Sequence, residues 1–581
     1  MTAVVEQRLA LTLALAVNVV LLAVYYDRYW YPPDEGSYAH VAERVLDGEV
    51  LNRTVQDLHA GYISFLNAGT MAAFGRRMVS LRYPLVALTV IQAFVVFVLF
   101  RARGAWLAAT AAVAATALGV LQFLNPTAHW YCLALFFTSL LLLERLPPGS
   151  RRREWLLGLL LGLTFGLRQL TGVLLAMGVL TYLLLDAGRR APASGRSTLL
   201  ARLTLGTMAL GLTAYLALAT GFVGFGLFGL WPLALLLLGQ AAPLPDHRFL
   251  RKTLVRLGAG AALAMMPLVA YHLLHGSLAS WYGDAVGAAG SVGSLPFIRR
   301  LDFGSGLIAG GLAVALRPRS AAWLVNGFFW IVLPLLAAVL GSALVLRSLP
   351  SRLAFAMPRS ALPTVAAFYA VVSVHFQNST YLFFALPATV AGLLWLAGEG
   401  GRRLRAGAMA LATALAAVAL YYHAGQTTNR GDLGLLTGER RPVVEAAGMA
   451  RCGLRIDASD AADYRAALEL IERETAPSET IFAVPSNAEL YFLSGRKNPF
   501  RFFNFAHGVR SEAEARAVLE ALARRPPRLV FYDGLDNYNT PLSRWTMVNL
   551  ARRYELIGLV GRWEVFRLPD APADGPDGSG G

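Results

Sequence analysis

Long apolar runs recur along the first three quarters of the chain, at about 9–25, 80–100, 104–123, 127–144, 154–168, 170–186, 201–219, 222–239, 257–274, 321–345, 362–376, 379–398 and 405–422. A helix needs about 20 apolar residues to cross some 30 Å of hydrocarbon, so this pattern predicts a polytopic α-helical membrane protein with about thirteen transmembrane helices. The first run is followed by YYDRYWYPPDEG with no small-residue cleavage pattern, and therefore reads as an uncleaved anchor. Its aromatic end, Tyr25 to Tyr31, suits a headgroup region. Basic clusters at Arg101/Arg103, Arg145 to Arg153, Arg189 to Arg196, Arg248 to Arg256, Arg347 to Arg359 and Arg402 to Arg405 occupy alternate loops. Those loops are expected on the cytoplasmic side together with the N-terminus. The 26–79 loop, the 275–320 loop, the His375–Ser379 turn and the whole C-terminal part are then extracytoplasmic. Phe303 to Leu316 is apolar but short, and counting it as a span would break the charge alternation. It reads as re-entrant or interfacial.

Beyond Tyr422 the hydropathy falls and the periodicity changes. Residues 463–474 and 512–524 predict helices, and 481–485, 528–533 and 563–568 predict strands. Strands alternating with helices suggest a small α/β domain with a parallel core. The division expected is a membrane domain over 1–425, an extracytoplasmic α/β domain over 426–568 and a disordered tail over 569–581.

Composition narrows the class further. The 581 residues are 56% hydrophobic, with a mean hydropathy of +0.51, which excludes a soluble protein. The chain carries 52 Lys+Arg against 36 Asp+Glu. From Thr428 onward 20 basic face 21 acidic residues, so the excess lies in the membrane part and reports topology, not nucleic-acid binding. Two cysteines, Cys132 and Cys452, give no disulfide framework and no zinc spacing. No dinucleotide, Walker, nucleophile-elbow or HExxH motif occurs in a fitting context.

The candidate chemistry lies in YPPDEGSYAHVAERVLDGEVLNRTVQDLHAGYISFLNAGTMAAFG, residues 31–75. Asp34 and Glu35 follow two prolines and precede an apolar stripe at Tyr38, Val41, Ala42, Val45 and Leu46, which predicts an amphipathic surface helix with acids in its first turn. Acids there also suit a cap and the helix dipole. Asp57 and His59 stand just before a second amphipathic helix. Carboxylates and an imidazole at two helix starts could take a proton from a hydroxyl, or hold a divalent ion or a sugar. His59 could equally be an interfacial residue.

The anchor helix, the DEGxYAxxAxxxxxG loop and an Asp shortly before a helix closing on Phe-Gly resemble the GT-C-type glycosyltransferases. Within that family the likeness is to the dolichyl-phosphate-mannose protein mannosyltransferases and the lipid A aminoarabinose transferases. It extends over the whole chain, although this sequence has His59-Ala60-Gly61 where the family often has Pro. The resemblance implies transfer of a sugar from a polyprenyl-phosphate carrier to a lipid, glycan or protein acceptor on the outer face, with inversion. Asp34 matches the general base, and Glu35 and Asp57 match supporting positions. A phosphate leaving group needs cations or donors. Arg168 and Gln169 at a junction of two spans are the first candidates, and His375, Gln377 and Asn378 in the HFQNST turn the next. Tyr282, Arg299 and Arg300 in the 275–320 loop suit substrate or lipid headgroups. No cofactor is certain; a divalent metal is compatible with the acids. A flippase or transporter of lipid-linked glycans is the alternative of a different class, but it should carry polar sites at the midplane and repeat symmetry. A polymerase or ligase using a diphosphate-linked glycan stays open as well.

Overall fold

The computed structural model describes residues 3–288, 295–299, 302–348, 360–424, 443–445 and 449–570. Among them, ten helices are long and apolar enough to cross a membrane: Ala3–Tyr25, Met78–Arg103, Ala105–Gln122, Gln169–Arg190, Gly195–Ala219, Phe222–Ala241, His247–Leu274, Ala321–Ser348, Ser379–Gly398 and Arg402–Tyr422. The chain is thus a helical membrane protein with fewer full-length spans than the thirteen expected. The three missing runs are helical but deficient. Ala128–Arg145 carries His129, Glu144 and Arg145 within 18 residues. Arg151–Leu167 opens on three arginines and Glu154. The run at 362–376 divides into the nine-residue helix Ala361–Tyr369 and the 3-10 turn Ala370–Val374.

The segment expected to be re-entrant forms a π turn, Gly304–Ile308, leading into the helix Ala309–Leu316. At 1.5 Å per residue this eight-residue helix rises about 12 Å, well short of the hydrocarbon thickness. The expected tail 569–581 is described only as far as residue 570, and Arg300 also lies outside the described residues.

By contacts the chain forms two compact units. The first contains residues 1–31, 58–66 and 81–441; the second contains 32–57, 67–80 and 442–581. Whereas the hydropathy profile groups the 26–79 loop with the membrane domain, most of that loop clusters with the C-terminal residues.

In the first unit, helices approach at small residues. A Cβ on Gly162 would lie 2.6 Å from the Ala261 carbonyl oxygen, and one on Gly158 would enter the Leu257 carbonyl. With lipid as apolar as leucine, such backbone-to-backbone approach is the main source of helix association in a bilayer. Arg82, 1% exposed, donates to the carbonyls of Tyr26 and Arg28, both at 3.0 Å, and of Tyr29 at 2.6 Å. It thereby satisfies backbone acceptors left over at the end of the first span.

In the second unit the strands are β1 (Val443–Glu445), β2 (Arg455–Asp457), β3 (Ile481–Val484), β4 (Leu529–Tyr532), β5 (Glu555–Val560) and β6 (Trp563–Arg567). β1 and β2 form an antiparallel pair, and the other four make a sheet in the order β3-β4-β6-β5. Only β3 and β4 are parallel, so the parallel core expected from the sequence is a mixed sheet. The two antiparallel pairings arise because β5 and β6 form a hairpin at Gly561, whose φ is +58°. The helices Glu512–Arg524 and Pro541–Leu550 cover one face through Val518, Leu522, Met547 and Leu550, packed with Phe482, Val530 and Phe566.

Replacing Gly158 with Leu should force apart the Arg151–Leu167 and His247–Leu274 helices and cost about 2 kcal/mol or more. The expected result is a lower melting temperature and a loss of monodisperse protein in detergent. An unchanged melt would show that the approach is not needed.

Candidate functional site

Asp34, Glu35 and Asp57 all belong to the second unit. Pro32 and Pro33 start the helix Pro32–Leu46, because a proline in the first turn gives up no hydrogen bond that the helix would otherwise make. This places Asp34 and Glu35 among the unsatisfied backbone N–H groups of its N-terminus, where negative charge is favoured. Asp34 is half-buried, Glu35 is 1% exposed, and the Ser37 hydroxyl donates to the Asp34 carbonyl at 2.8 Å. The buried face of this helix holds Val41 and Ala42 of the expected stripe but also Glu35, Gly36, Ala39 and His40, while Tyr38, Val45 and Leu46 are only half-buried. The signal for that face was the pair of small residues Gly36 and Ala39, three apart, which apolar periodicity does not weigh.

Asp57, 6% exposed, ends a tight turn made by Asn52. Asn52 has φ +61°, a left-handed conformation that asparagine tolerates better than most residues. Its side-chain amide donates to the Asp57 carbonyl at 2.6 Å, and its N–H to the Val55 carbonyl at 2.7 Å. The turn is held to the rest of the unit by Gln56 N–H on the Arg501 carbonyl at 2.8 Å and by the Arg501 guanidinium on the Asn52 carbonyl at 3.0 Å.

The other expected residues lie in the first unit. Arg168 is extended, at φ −154° and ψ 111°, between the helices Arg151–Leu167 and Gln169–Arg190, and it is 9% exposed. Its guanidinium donates to the Tyr381 hydroxyl at 3.4 Å and stands 5.5 Å from that ring's centroid. The His375 ring is 5.8 Å from Tyr381. His129 is buried and stacked 3.6 Å from Phe384, with Tyr381 at its edge 5.1 Å away. Both His129 ring nitrogens and the hydroxyls of Tyr215 and Tyr369 are buried and make no hydrogen bond with the described residues.

Gln169, Gln377 and Asn378 hold loops and helix ends. Gln169 donates both its amide hydrogens, to the Leu58 carbonyl at 3.1 Å and the Ala285 carbonyl at 3.0 Å. Trp281 adds a bond to the Ala60 carbonyl at 2.8 Å, so the segment carrying half-buried His59 is held at its flanks. Gln377 accepts from the Thr220 hydroxyl at 3.1 Å and donates to the Ala219 carbonyl at 3.4 Å. Asn378 caps Ser379–Gly398 by accepting from Tyr381 N–H at 3.0 Å. Tyr282 is 67% exposed. The Arg299 side chain and all of Arg300 lie outside the described residues. Among the described residues no group of three or more His, Cys, Asp or Glu could hold a metal ion.

An apolar groove of about 470 Å³ opens in the first unit, lined among others by Tyr62, Phe65, Leu88, Ile91, Tyr131 and Leu163.

No protein-family model and no curated protein matches the chain. Solved structures do. ArnT from Cupriavidus metallidurans, known in the apo state and bound to undecaprenyl phosphate, aligns over 96% of this chain and 97% of its own, with 14% identity and a TM-score of 0.36. The Archaeoglobus fulgidus oligosaccharyltransferase tethered with an acceptor peptide aligns over 98% of this chain and 75% of its own, with 12% identity and a TM-score of 0.43.

His40 and His507 supply a pH test of the second unit. Burial, reinforced by Arg44 and Arg451, holds the His40 imidazole well below its usual range, and burial brings His507 down to about 4. Below about pH 6.5 unfolded-state imidazoles take up protons that these two refuse, so stability is complete above that pH and falls as the pH drops toward 4. The slope should be about 1.4 kcal/mol per pH unit for each histidine. Thermal melts between pH 7.5 and 5 should therefore be less steep for His40→Gln than for wild type. Equal slopes would show that His40 does not stay neutral.

Proposed function

We propose that the protein is an integral-membrane glycosyltransferase that moves a sugar from a polyprenyl-phosphate donor to an acceptor on the extracytoplasmic face, with inversion at the anomeric carbon. The carrying observation is the Asp34–Glu35 pair in the first turn of Pro32–Leu46, in the unit that contains none of the full-length spans except the edge of Met78–Arg103. Alternation of the basic clusters supports an extracytoplasmic position for this unit and a cytoplasmic N-terminus.

In this reading the half-buried Asp34 is the general base. It takes the proton of the acceptor hydroxyl or amine as that group attacks the anomeric carbon, and the bond to the carrier phosphate breaks. Glu35 and Asp57 orient the base or bind sugar hydroxyls. Arg168 receives the carrier phosphate, because a guanidinium pairs with phosphate oxygens in a bidentate fashion. The Tyr215 and Tyr369 hydroxyls and the His129 imidazole, buried without a hydrogen bond among the described residues, are further donors. The 470 Å³ groove, walled by Leu88, Ile91 and Leu163, suits a stretch of isoprenoid chain.

The test uses the full-length protein in proteoliposomes with polyprenyl-phosphate mannose, glucose, galactose and arabinose, plus membrane extract as acceptor. Release of polyprenyl phosphate is the readout. Asp34→Asn should lower kcat by about 10²- to 10⁴-fold with little change in KM. Near-wild-type turnover in Asp34→Asn would overturn the assignment, and glycan translocation without transfer would point to a transporter. Arg168→Gln should raise the donor KM by about 10- to 100-fold, as expected for the loss of charge-assisted hydrogen bonds. An unchanged KM would remove Arg168 from the phosphate site.

A further inference from the structure

The helix that carries Asp34 and Glu35 rests on the C-terminal residues at one unusually close point. A Cβ built on Gly36 would lie 2.5 Å from both the backbone nitrogen and the Cβ of Glu489, and 2.6 Å from its Cα. Real side chains do not approach backbone so closely, so only glycine allows the first turn of Pro32–Leu46 to sit directly on the first turn of Ala488–Ser494. The contact is one residue from Glu35 and two from Asp34.

Glu489 is itself fully buried and fixed. Its Oε1 accepts from the Tyr464 hydroxyl at 2.8 Å and from the Arg562 guanidinium at 3.0 Å. Arg562 also reaches the Asp533 carboxylate at 3.1 Å and the Asn487 side chain at 3.3 Å, and Trp563 donates to Asn487 at 3.0 Å. Asp533 in turn bonds through its N–H to the Val484 carbonyl at 2.9 Å. Glu489 is therefore tied to residues at the ends of β3, β4 and β6. Farther along the helix, His40 meets Tyr491 at 5.2 Å, Arg44 donates to the Phe500 carbonyl at 2.8 Å, and Glu43 pairs with Arg451.

A buried ion pair costs desolvation and is at best a weak source of stability compared with an apolar contact of equal volume. What it imposes is one geometry, since the forked guanidinium accepts few arrangements. We propose that Glu489 and Arg562 are positioning residues: through Gly36 they set the place and orientation of the Asp34–Glu35 turn, which makes the C-terminal α/β unit part of the catalytic apparatus. The proposal rests on the reading of Asp34 as the base. Relieving the overlap at Gly36 takes a movement of about 1 Å, and a misplacement of that size costs about 10²-fold in rate.

The test compares full-length Gly36→Ala, Glu489→Ala and Glu489→Gln with wild type in proteoliposomes, by hydrogen exchange and by turnover of whichever sugar in the donor panel reacts. In Gly36→Ala and Glu489→Ala, amides 34–42 should exchange about tenfold faster while those of 169–190 stay unchanged. Their kcat should fall about 10- to 100-fold, with donor KM within about twofold of wild type. Glu489→Gln still accepts from Tyr464 and Arg562 and should retain most of kcat. Unchanged exchange at 34–42 would overturn the positioning role whatever the reaction. Faster exchange with unchanged kcat would overturn its link to catalysis. Asp34→Asn, assayed in parallel, separates the two ideas: if it stays active the functional reading falls, while the exchange result still decides whether Glu489 positions the turn.

Discussion

Backbone hydrogen bonding in hydrocarbon constrains everything else in this chain. Without water, each N–H and C=O must be satisfied within the protein, which makes helices the only local solution over most of the first 422 residues. Where a helix stops, a side chain takes over. Arg82 collects three carbonyls beyond the end of Ala3–Tyr25, Gln169 bridges the Leu58 and Ala285 carbonyls, and Asn378 caps Ser379–Gly398. Several residues that look functional because they are polar near a membrane are thus occupied in closing the backbone account.

Arg168 differs in kind. Its backbone is extended between two helices, its guanidinium has an aromatic hydroxyl and ring for neighbours, and buried groups without hydrogen bonds among the described residues lie in Tyr215, Tyr369 and His129. Buried polar groups are normally paired, so such a concentration needs a reason, and an anionic headgroup would be one. In the proposed reading Arg168 receives the carrier phosphate, whereas the acids belong to the other unit.

In the second unit the central fact is the docking of an N-terminal helix onto C-terminal residues more than 400 positions away. Glycine at 36 permits the approach, and Glu489, Arg562 and Tyr464 make it specific. Asn52, in its left-handed conformation, does the same for the turn that ends at Asp57. Both acid-bearing segments are therefore held by backbone-level contacts and not by loose apolar packing, as a rigid site requires.

The sequence by itself determined the class of this protein and the nature of its elements. Hydropathy is a local property, so the apolar runs, the fall beyond Tyr422 and the helix Glu512–Arg524 were readable residue by residue. It also singled out Asp34 and Glu35, because proline at a helix start and acids in its first turn are local signals. Tertiary structure decided that Gly36 and His40 join Val41 and Ala42 in the buried face, since they meet Glu489 and Tyr491 far along the chain. It decided too that 32–57 and 67–80 cluster with the C-terminal residues, and that β5 and β6 turn a parallel core into a mixed sheet. The physical reason is the same in each case. Periodicity records what a residue prefers, while partners at long sequence separation are chosen by shape and by hydrogen bonds that exist only once the chain has folded.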